Sequence, residues 1–389
     1  MTPAARTQAA IELLDEVIAA ARSGGAAADT LIARYFATRR YAGSKDRRAV
    51  RERVYAAIRR AGEVPASGRA AMLAVAAEDA DVAATFDGST HGPAPIGPDE
   101  RAAAGGVMPA WLAAELTRSN VSEQQQAALI DRAPLDIRIN ALTADAAAVD
   151  ALGGTEIPGL AQARRLPTGT NVDPLAGQIE VQDAGSQIVA LAAHAEPGQA
   201  IVDLCAGGGG KTLALAAAMA NEGRILATDV DRGRLSRLAP RAARAGVTIV
   251  ETRLLDPHRE GDGLSDWNAA ADCVLIDAPC SGTGTWRRNP EARWRLTPDR
   301  LARFVAQQRH VLAVGAPLVR PGGAMVYIVC SMLDAEGRDQ VDAFLAEHPG
   351  WTAAPLDLPA GTVRGQGLRL DPLQHGTDGF FVARLTSPC

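Results

Sequence analysis

The sequence predicts an α/β layer fold with a mainly parallel sheet in its C-terminal half, preceded by a helical region. Three observations support this prediction. After residue 178, short apolar strands alternate with helices, which is the order expected of βαβ units. A turn of four consecutive glycines joins one of these strands to a helix. Near the N-terminus, by contrast, apolar residues recur at helical spacing.

The amino-acid composition limits the classes of protein to which the chain can belong. The chain has 389 residues, with 40 basic and 45 acidic side chains, so its formal charge is −5. The five cysteines share no CxxC spacing, so we expect neither a disulfide framework nor a metal site, and we predict a reducing cytoplasmic location. No apolar run reaches the roughly 18 residues needed to span a bilayer. Acidic residues within the first apolar stretch also argue against a signal peptide.

Three domains are predicted. Residues 1–105 form a helical domain that ends in an acidic connection rich in Ala, Pro and Gly. Residues 1–60 carry a net charge of +6, and residues 61–104 carry −5. A solvated helix face is the simpler interpretation of the basic window, and nucleic-acid binding is the alternative. Residues 106–177 form a small α+β segment with a helix near Trp111 and a strand at Ile137–Asn140. Residues 178–389 form the α/β domain.

The elements of the α/β domain follow from its apolar pattern. The predicted strands are Ile201–Leu204, Arg224–Thr228, Thr248–Val250, Cys273–Ile276, Ala324–Val329 and Gly379–Leu385. The predicted helices between them include Thr212–Met219, Asp231–Ala245 and Pro298–Leu318.

The glycine turn follows the strand that begins at Ile201. A phosphate-binding P-loop would require Gly where Cys205 stands, and a dinucleotide fingerprint starting at Gly207 would require Gly where Thr212 stands. The remaining interpretation is a turn that binds S-adenosylmethionine, because glycines let the backbone approach a ligand closely. Asp229 ends the next strand, where a carboxylate grips ribose hydroxyls. A tight turn without a ligand is the simpler alternative.

Reactive side chains follow two further strands. One strand continues into Asp277-Ala278-Pro279-Cys280, and the next ends in Cys330-Ser331. In an open α/β sheet these strand ends border the ligand crevice. Each cysteine alone is more simply a small buried apolar residue. Both together, beside an acid, suit methylation of carbon 5 of cytosine. A thiolate that adds to carbon 6 makes carbon 5 nucleophilic, and a carboxyl near ring N3 stabilises the charge that develops.

The combined pattern resembles the RsmB/Sun group of the Nop/NSun family of RNA cytosine-5 methyltransferases. The resemblance covers about 280 residues and rests on Val181–Gln187, Cys205–Thr212, Asp277–Cys280, Cys330-Ser331 and Asp378–Phe381, with Arg138–Asn140 similar to the pre-catalytic segment. It implies a class I S-adenosylmethionine-dependent methyltransferase, Rossmann-like with a mainly parallel seven-stranded sheet. It also implies a preceding helical NusB-like RNA-binding domain, a monomer without metal, and RNA as partner, with 16S ribosomal RNA as the expected substrate.

The resemblance also assigns roles to residues. Cys330 is the implied nucleophile, Cys280 assists product release, and Asp277 stabilises the ring. The implied cofactor contacts are Cys205, Ala206, Gly207, Gly208, Gly209, Gly210, Lys211, Asp229, Asp256 and Asp277. Two departures stand out: Gly207-Gly208 replaces an Ala-Pro pair that is usual in the family, and Val329 replaces the threonine that usually precedes the nucleophile.

RNA contacts are predicted directly after the Asp277 motif. Trp286, Arg287, Arg288 and Arg293 interleave aromatic rings with guanidinium groups, and residues 286–309 carry a net charge of +5. Such a pattern can stack bases and hold phosphates. The simpler alternative is a solvated helix with core tryptophans. Arg138 is a further expected RNA contact.

Alternative functions remain open on the sequence. The same fold could methylate transfer RNA or another non-ribosomal substrate, including a protein or small molecule, although two thiols at the sheet edge would then have no use. The sequence also leaves open that the protein is a catalytically weak paralogue that binds RNA. Such a protein would be expected to lose at least one of Asp277, Cys280 and Cys330, and all three are present.

Overall fold

The computed structural model describes all 389 residues, Met1–Cys389. It divides into two compact units, one formed by 1–132 together with 285–297, and the other by 133–284 together with 298–389. The chain therefore leaves the second unit after Gly284 and returns to it at Pro298. None of its helices combines the length and apolarity needed to cross a bilayer.

The first unit is helical, as predicted. Its helices are α1 (Pro3–Ser23), α2 (Ala28–Thr38), α3 (Ser44–Arg60), α4 (Gly68–Ala76), α5 (Ala80–Ala83), α6 (Ala110–Arg118) and α7 (Glu123–Ala128). Helix α1 begins where the Thr2 hydroxyl accepts a hydrogen bond from the backbone N–H of Ala5, with Pro3 at the first helical position. Leu13, Leu14 and Val17 on this helix are fully buried in the core of the unit.

The acidic connection is more ordered than expected. Residues 61–104 contain α4 and α5, and Met72, Val82 and Phe86 are buried in the core of the first unit. Gly68 permits the close approach of α4 to α1, because a Cβ there would overlap the backbone carbonyl oxygen of Ile11. Alanine-rich helices pack closely without large apolar side chains, which is why the composition suggested a linker.

The domain boundaries also differ from the three predicted. Helices α6 and α7 belong to the first unit, as does the segment 285–297, which lies far away in the sequence. Trp294 in that segment is part of the same apolar core as α1 and α3. A segmentation into consecutive stretches could not detect this excursion, since it depends on contacts between residues more than 200 positions apart.

The second unit contains two sheets. Its strands are β1 (Leu135–Ile139), β2 (Thr155–Ile157), β3 (Leu160–Leu166), β4 (Ile179–Val181), β5 (Ala200–Asp203), β6 (Arg224–Asp229), β7 (Val250–Leu254), β8 (Ala271–Asp277), β9 (Val319–Val329), β10 (Thr352–Ala354), β11 (Thr362–Arg364), β12 (Gly367–Leu370) and β13 (Phe380–Thr386). Its helices are α8 (Ala146–Asp150), α9 (Ala184–Leu191), α10 (Gly210–Ala218), α11 (Arg232–Leu235), α12 (Leu238–Arg244), α13 (Pro298–Gly315), α14 (Arg338–Glu347) and α15 (Pro372–His375).

The larger sheet positions the site. Its order is β11-β12-β13-β9-β8-β5-β6-β7, with β10 also paired to β13. Strands β5 to β9 pair in parallel, whereas β13 is antiparallel to both β9 and β12. The mainly parallel α/β prediction is confirmed, and the predicted seven strands become nine because the short β10 and β11 extend the antiparallel edge. The smaller sheet, β2-β3-β1-β4, is antiparallel throughout.

Two predicted elements change their bounds. The helix expected over 231–245 is broken into α11 and α12. Pro240 explains the break, because it has no N–H to donate to the carbonyl of Ser236 and its ring crowds that turn. The strand expected at 248–250 runs instead over Val250–Leu254, where the polar, largely exposed residues of an edge strand hide the apolar alternation.

Candidate active site

The glycine turn connects β5 to α10 and depends on its glycines. Gly207 and Gly209 have φ values of 55° and 84°, in the left-handed region that side chains disfavour. A Cβ on Gly207 would lie 2.7 Å from Nη2 of Arg234, and one on Gly209 would overlap Cδ1 of Leu238. The turn is therefore a cradle shaped by missing side chains, which fits a ligand that contacts the backbone closely.

Asp229 ties the turn to the end of β6. One carboxylate oxygen accepts a hydrogen bond from the backbone N–H of Gly207 at 2.9 Å, and the other accepts from the N–H of Asp231 at 2.7 Å. The Asp229 carboxylate also lines the cavity beside the turn. The acid is thus held in a fixed orientation at the predicted ribose position, with lone pairs remaining for hydroxyl donors.

Lys211 and Asp277 form a buried ion pair across the strand ends. The Lys211 ammonium donates to Oδ2 of Asp277 at 2.6 Å, and Lys211 is buried. Burial by itself would lower the pKa of this ammonium, but the Asp277 carboxylate and its hydrogen bond reverse the effect, so the pKa is raised overall. Lys211 is therefore charged at neutral pH and fixes the Asp277 side chain.

The two cysteines meet at the end of β8 and β9. The Sγ atoms of Cys280 and Cys330 are 3.3 Å apart, and both thiols are free and partly exposed. This separation is a hydrogen-bond contact and is longer than the roughly 2.05 Å of a disulfide. The pKa of Cys280 is raised well above its ordinary value by the hydrogen bond to Cys330 and by burial. Cys280 therefore keeps its proton and can donate it to the Cys330 sulfur.

A cavity of about 450 Å³ opens beside these groups. Among the predicted site residues, Cys205, Asp229, Asp277, Cys280 and Cys330 line it. The structure thus brings the first two strand ends and both cysteine motifs to one cavity, as expected from the parallel order β6-β5-β8-β9. The pKa of the Cys205 thiol is raised by burial and by nearby carboxylates, so this third cysteine is a neutral wall residue.

Other predicted cofactor contacts do not line the cavity. Ala206, the four glycines and Lys211 shape the turn behind Cys205. Asp256 is a correction: Leu255 and Pro257 line the cavity, whereas Asp256 between them is exposed and does not. Asp256 begins the turn after β7, where its backbone carbonyl accepts a hydrogen bond from the N–H of Arg259 at 3.0 Å.

One wall of the cavity had no signal in the sequence. His310 on α13 and Glu260 after β7 both line it, with 3.0 Å between Nε2 and Oε2. Phe304 and Val311 on the same helix contribute the apolar part of that wall. The two halves of the His310–Glu260 pair are 50 residues apart, and only the scarcity of histidine in the chain, six in all, could have drawn attention to it.

The predicted RNA contacts around Trp286 require correction. Trp286 and Arg293 are fully buried, and Arg287 is 6% exposed. The Arg293 guanidinium donates to the backbone carbonyls of Ile58 at 2.6 Å and Ala61 at 2.8 Å, so its donors serve the first unit. These three side chains cannot contact RNA from these positions. Arg288 is half-buried, and its contact with RNA stays a prediction.

Arg138 is also placed differently from the prediction. Only 7% of the residue is exposed, and its Nε donates to Oε1 of Gln182 at 2.8 Å. Burial lowers the pKa of this guanidinium to about 10, which still leaves it charged at neutral pH. Its contacts join β1 to the segment after β4, so it stabilises the second unit and is not an exposed RNA contact.

Comparison with known proteins identifies the family. Residues 189–386, just over half of the chain, match the family described as 16S rRNA methyltransferase RsmB/F. The chain belongs to this family. The predicted resemblance and the class I fold are thereby confirmed, and S-adenosylmethionine is confirmed as the family's cofactor. The glycine cradle described above fits that cofactor.

Individual relatives agree with the family. The probable ribosomal RNA small subunit methyltransferase B of Synechocystis is 36% identical over 297 residues, which cover 72% of this chain and 66% of that protein. The corresponding protein of Thermus thermophilus is 36% identical over 229 residues, covering 59% and 55%. The chain therefore matches less than two thirds of the length of these relatives. The crystal structure of PH0851 has a similar fold, with a TM-score of 0.77 at 23% identity, and covers 99% of each chain.

Proposed function

We propose that this member of the RsmB/F family transfers a methyl group from S-adenosylmethionine to carbon 5 of a cytosine in RNA through a covalent cysteine adduct. The observation that carries the proposal is the 3.3 Å contact between the Cys280 and Cys330 sulfurs at the cavity that Asp229 and Asp277 also line. A methyltransferase acting on an oxygen or nitrogen nucleophile would need no thiol there. Two touching thiols suit a base that must be activated and then released.

Cys330 is the proposed nucleophile and Cys280 the residue that assists release. The Cys330 sulfur forms a bond to carbon 6 of the ring, which makes carbon 5 an enamine-like nucleophile. After methyl transfer, carbon 5 releases its proton to water, the electrons of that C–H bond form the double bond between carbons 5 and 6, and the bond between sulfur and carbon 6 breaks with its electrons returning to Cys330. The protonated Cys280 thiol is hydrogen-bonded to that sulfur and stabilises the departing thiolate.

Asp277 is the proposed contact for the base. Its carboxylate, held by Lys211 at 2.6 Å, can accept a hydrogen bond from the amino group on carbon 4 of cytosine. Uracil presents a carbonyl at the same position, and a carboxylate repels it. The neighbouring Lys211 charge stabilises the negative charge that develops on the ring during thiolate addition. The pair therefore both selects and activates cytosine.

Cys205, Asp229 and the glycine turn are proposed to hold S-adenosylmethionine. When bound, this cofactor supplies a methyl group activated by its positively charged sulfur. Asp229 orients the ribose through the lone pairs not used by Gly207 and Asp231, and the turn allows the backbone to approach. Phe304 and Val311 give the cavity an apolar wall beside His310.

The proposed substrate is 16S ribosomal RNA, as the names of the relatives indicate. We assign its binding to the first unit, where Lys45, Arg47, Arg48 and Arg51 on α3 are exposed. Lysine and arginine side chains that neutralise phosphates make binding depend on salt. Arg48→Ala is expected to weaken RNA binding and to reduce the salt dependence of the binding constant. Unchanged affinity across a salt titration would remove α3 from the interface.

Trapping of the covalent intermediate tests the chemistry. Cys280→Ala should accumulate a protein–RNA adduct that survives denaturing electrophoresis, whereas Cys330→Ala should form none. Cys389→Ser is the matched control, because Cys389 is exposed and does not line the cavity, and it should behave as the unmodified protein. An adduct in Cys330→Ala alone would exchange the two roles. The absence of an adduct in every variant would remove the covalent mechanism.

Bisulfite mapping tests the substrate. RNA from a strain lacking the gene should lose one protected cytosine in 16S ribosomal RNA, and the purified protein should restore it in vitro. Loss of protection in transfer RNA, with ribosomal RNA unchanged, would show that the alternative substrate class is correct.

A further inference from the structure

Glu336 is a fully buried carboxylate directly behind the two cysteines. It lies between β9 and α14 and accepts four hydrogen bonds. Its donors are the backbone N–H of Ser281 at 2.8 Å, the hydroxyls of Ser281 and Ser331, and the side-chain amide of Gln308 at 3.0 Å. A buried carboxylate is costly unless its lone pairs are satisfied, and here hydrogen bonds from two loops and a helix satisfy them.

The donors have a regular relation to the thiols. Ser281 directly follows Cys280, and Ser331 directly follows Cys330. Both serine hydroxyls donate to the same carboxylate oxygen, and their Oγ atoms are 3.3 Å apart, the same distance as the two sulfurs. The two loops, 50 residues apart in the sequence, are therefore in contact at two successive positions. The cysteines contact each other directly, and the serines that follow them are linked through Glu336.

Gln308 adds a third element to this junction. Its amide nitrogen donates to Glu336 and also, at 2.9 Å, to the backbone carbonyl of Pro279, the residue before Cys280. Gln308 lies on α13, the helix that provides one wall of the cavity. The Cys280 loop is thus fixed on both sides of the cysteine, by Pro279 and by Ser281.

We infer that Glu336 is a positioning residue that holds the Cys280 and Cys330 loops together so that the two sulfurs stay in contact during the reaction. Glu336 does not line the cavity and touches no reacting atom, so it acts through the serines beside the cysteines. This inference rests on the proposed covalent mechanism for its kinetic consequences. Its geometric consequence, the distance between the sulfurs, does not depend on that mechanism.

Substitution of Glu336 by alanine tests whether this residue positions the two cysteine loops. In Glu336→Ala both loops lose their common acceptor, and we expect kcat to fall by about 10- to 100-fold, the order seen for ångström-scale misplacement of reacting groups. The KM for RNA should change little, whereas the melting temperature should fall because four buried donors lose their acceptor, so kcat is compared at a temperature where both proteins are folded. Because release needs both sulfurs but addition needs only Cys330, the variant should accumulate adduct. Glu347→Ala, at an exposed glutamate on α14, is the control that should match the unmodified protein.

The conservative variant provides the rescue. In Glu336→Gln the amide oxygen can accept from the Ser281 N–H and from Gln308, and the amide nitrogen can donate to the two serine oxygens. The Ser331 hydroxyl can then turn to Thr283, whose Oγ1 is 3.0 Å away. We therefore expect Glu336→Gln to recover most of the rate lost in Glu336→Ala. A Glu336→Gln variant as slow as Glu336→Ala would overturn the inference.

Thiol crosslinking measures the geometry without RNA or methyl transfer. Diamide oxidises two adjacent thiols to a disulfide, taking up their two hydrogens as it is reduced to the hydrazine. In a Cys389→Ser background, the Cys280–Cys330 disulfide should form at least about tenfold more slowly in Glu336→Ala, consistent with loss of proximity. Peptide mass mapping identifies the pair. Equal crosslinking rates in Glu336→Ala and the parent protein would overturn the inference.

Two further results complete the test. Where Glu336→Ala does not fold, the double variant Ser281→Ala/Ser331→Ala removes the hydroxyl donors and keeps the carboxylate, and it should also slow crosslinking. Unchanged crosslinking in that variant counts against the inference. If crosslinking responds as expected but no variant ever forms an adduct with RNA, the proposed reaction is wrong and the positioning role of Glu336 stands.

Discussion

Arg293 offers the sharpest test of where sequence and structure diverge, because the sequence placed it on RNA and the structure buries it. Its guanidinium donates to the carbonyls of Ile58 and Ala61 at the C-terminal end of α3, and to the carbonyl of Pro290. The last carbonyls of a helix have no partner within the helix, and a cation there also interacts favourably with the helix dipole. Arg293→Ala removes all of these donors together.

The expected cost is large. The Ala61 carbonyl still accepts from Nε1 of Trp294 at 3.1 Å, so the carbonyls that lose their arginine donor outright are those of Ile58 and Pro290. At about 1–3 kcal/mol for each buried carbonyl, the expected loss is about 2–5 kcal/mol. Burial lowers the pKa of the Arg293 guanidinium to about 10, so the group is charged at neutral pH and its hydrogen bonds are the stronger, charge-assisted kind. For a unit of this size the melting temperature should fall by about 10 °C.

The assay compares stability and RNA affinity in the same variants. Thermal unfolding followed by circular dichroism should show the loss in Arg293→Ala, a smaller loss in Arg293→Lys, and none in Arg48→Ala. RNA binding at a temperature where all variants are folded should weaken only in Arg48→Ala. The reasoning is refuted if Arg293→Ala keeps its melting temperature and instead loses RNA affinity with a reduced salt dependence.

Two other predictions concern the glycine turn and the acid beneath it. Gly209→Ala places a Cβ at a φ of 84° against Leu238, and calorimetry should show S-adenosylmethionine affinity at least about tenfold weaker. In the matched Gly208→Ala variant the Cβ lies 3.3 Å from Nη1 of Arg241, a side-chain atom that needs to shift by only a few tenths of an ångström, so affinity should change little. Equal effects in both variants would contradict the cradle. Asp203, fully buried, has its pKa raised to about 7 by burial, so the folded state keeps a proton that the unfolded chain releases near pH 4. Its contribution to stability is present below pH 4 and is lost as the pH rises through 7. Asp203→Asn should therefore flatten the decline in melting temperature between pH 5 and pH 8, and parallel curves for the two proteins would show that Asp203 does not titrate in this range.

Much of the candidate site was predictable because its residues follow strand ends. Cys205, Asp229, Asp277, Cys280 and Cys330 each come at or just after a short apolar strand, and parallel strands deliver such positions to one edge of a sheet. Asp256 does not line the cavity although its neighbours Leu255 and Pro257 do, because it begins a turn after β7 whose course its short motif does not reveal. Glu260, His310 and Glu336 had no signal, since each is an ordinary polar residue in its own segment.

The sequence by itself determined the α/β fold, the family and the chemical identity of the reactive groups, because apolar periodicity and short motifs are local properties of the chain. Only the tertiary structure decided which arginines are exposed. The run from Trp286 to Arg293 has the composition of an RNA-binding segment, yet Trp286, Arg287 and Arg293 are buried. The Arg293 guanidinium donates to backbone carbonyls of the first unit. The sequence shows which residues are charged, but their burial depends on contacts between residues more than 200 positions apart. The contact between Cys280 and Cys330 likewise depends on a distant residue, the Glu336 carboxylate, which belongs to neither cysteine motif.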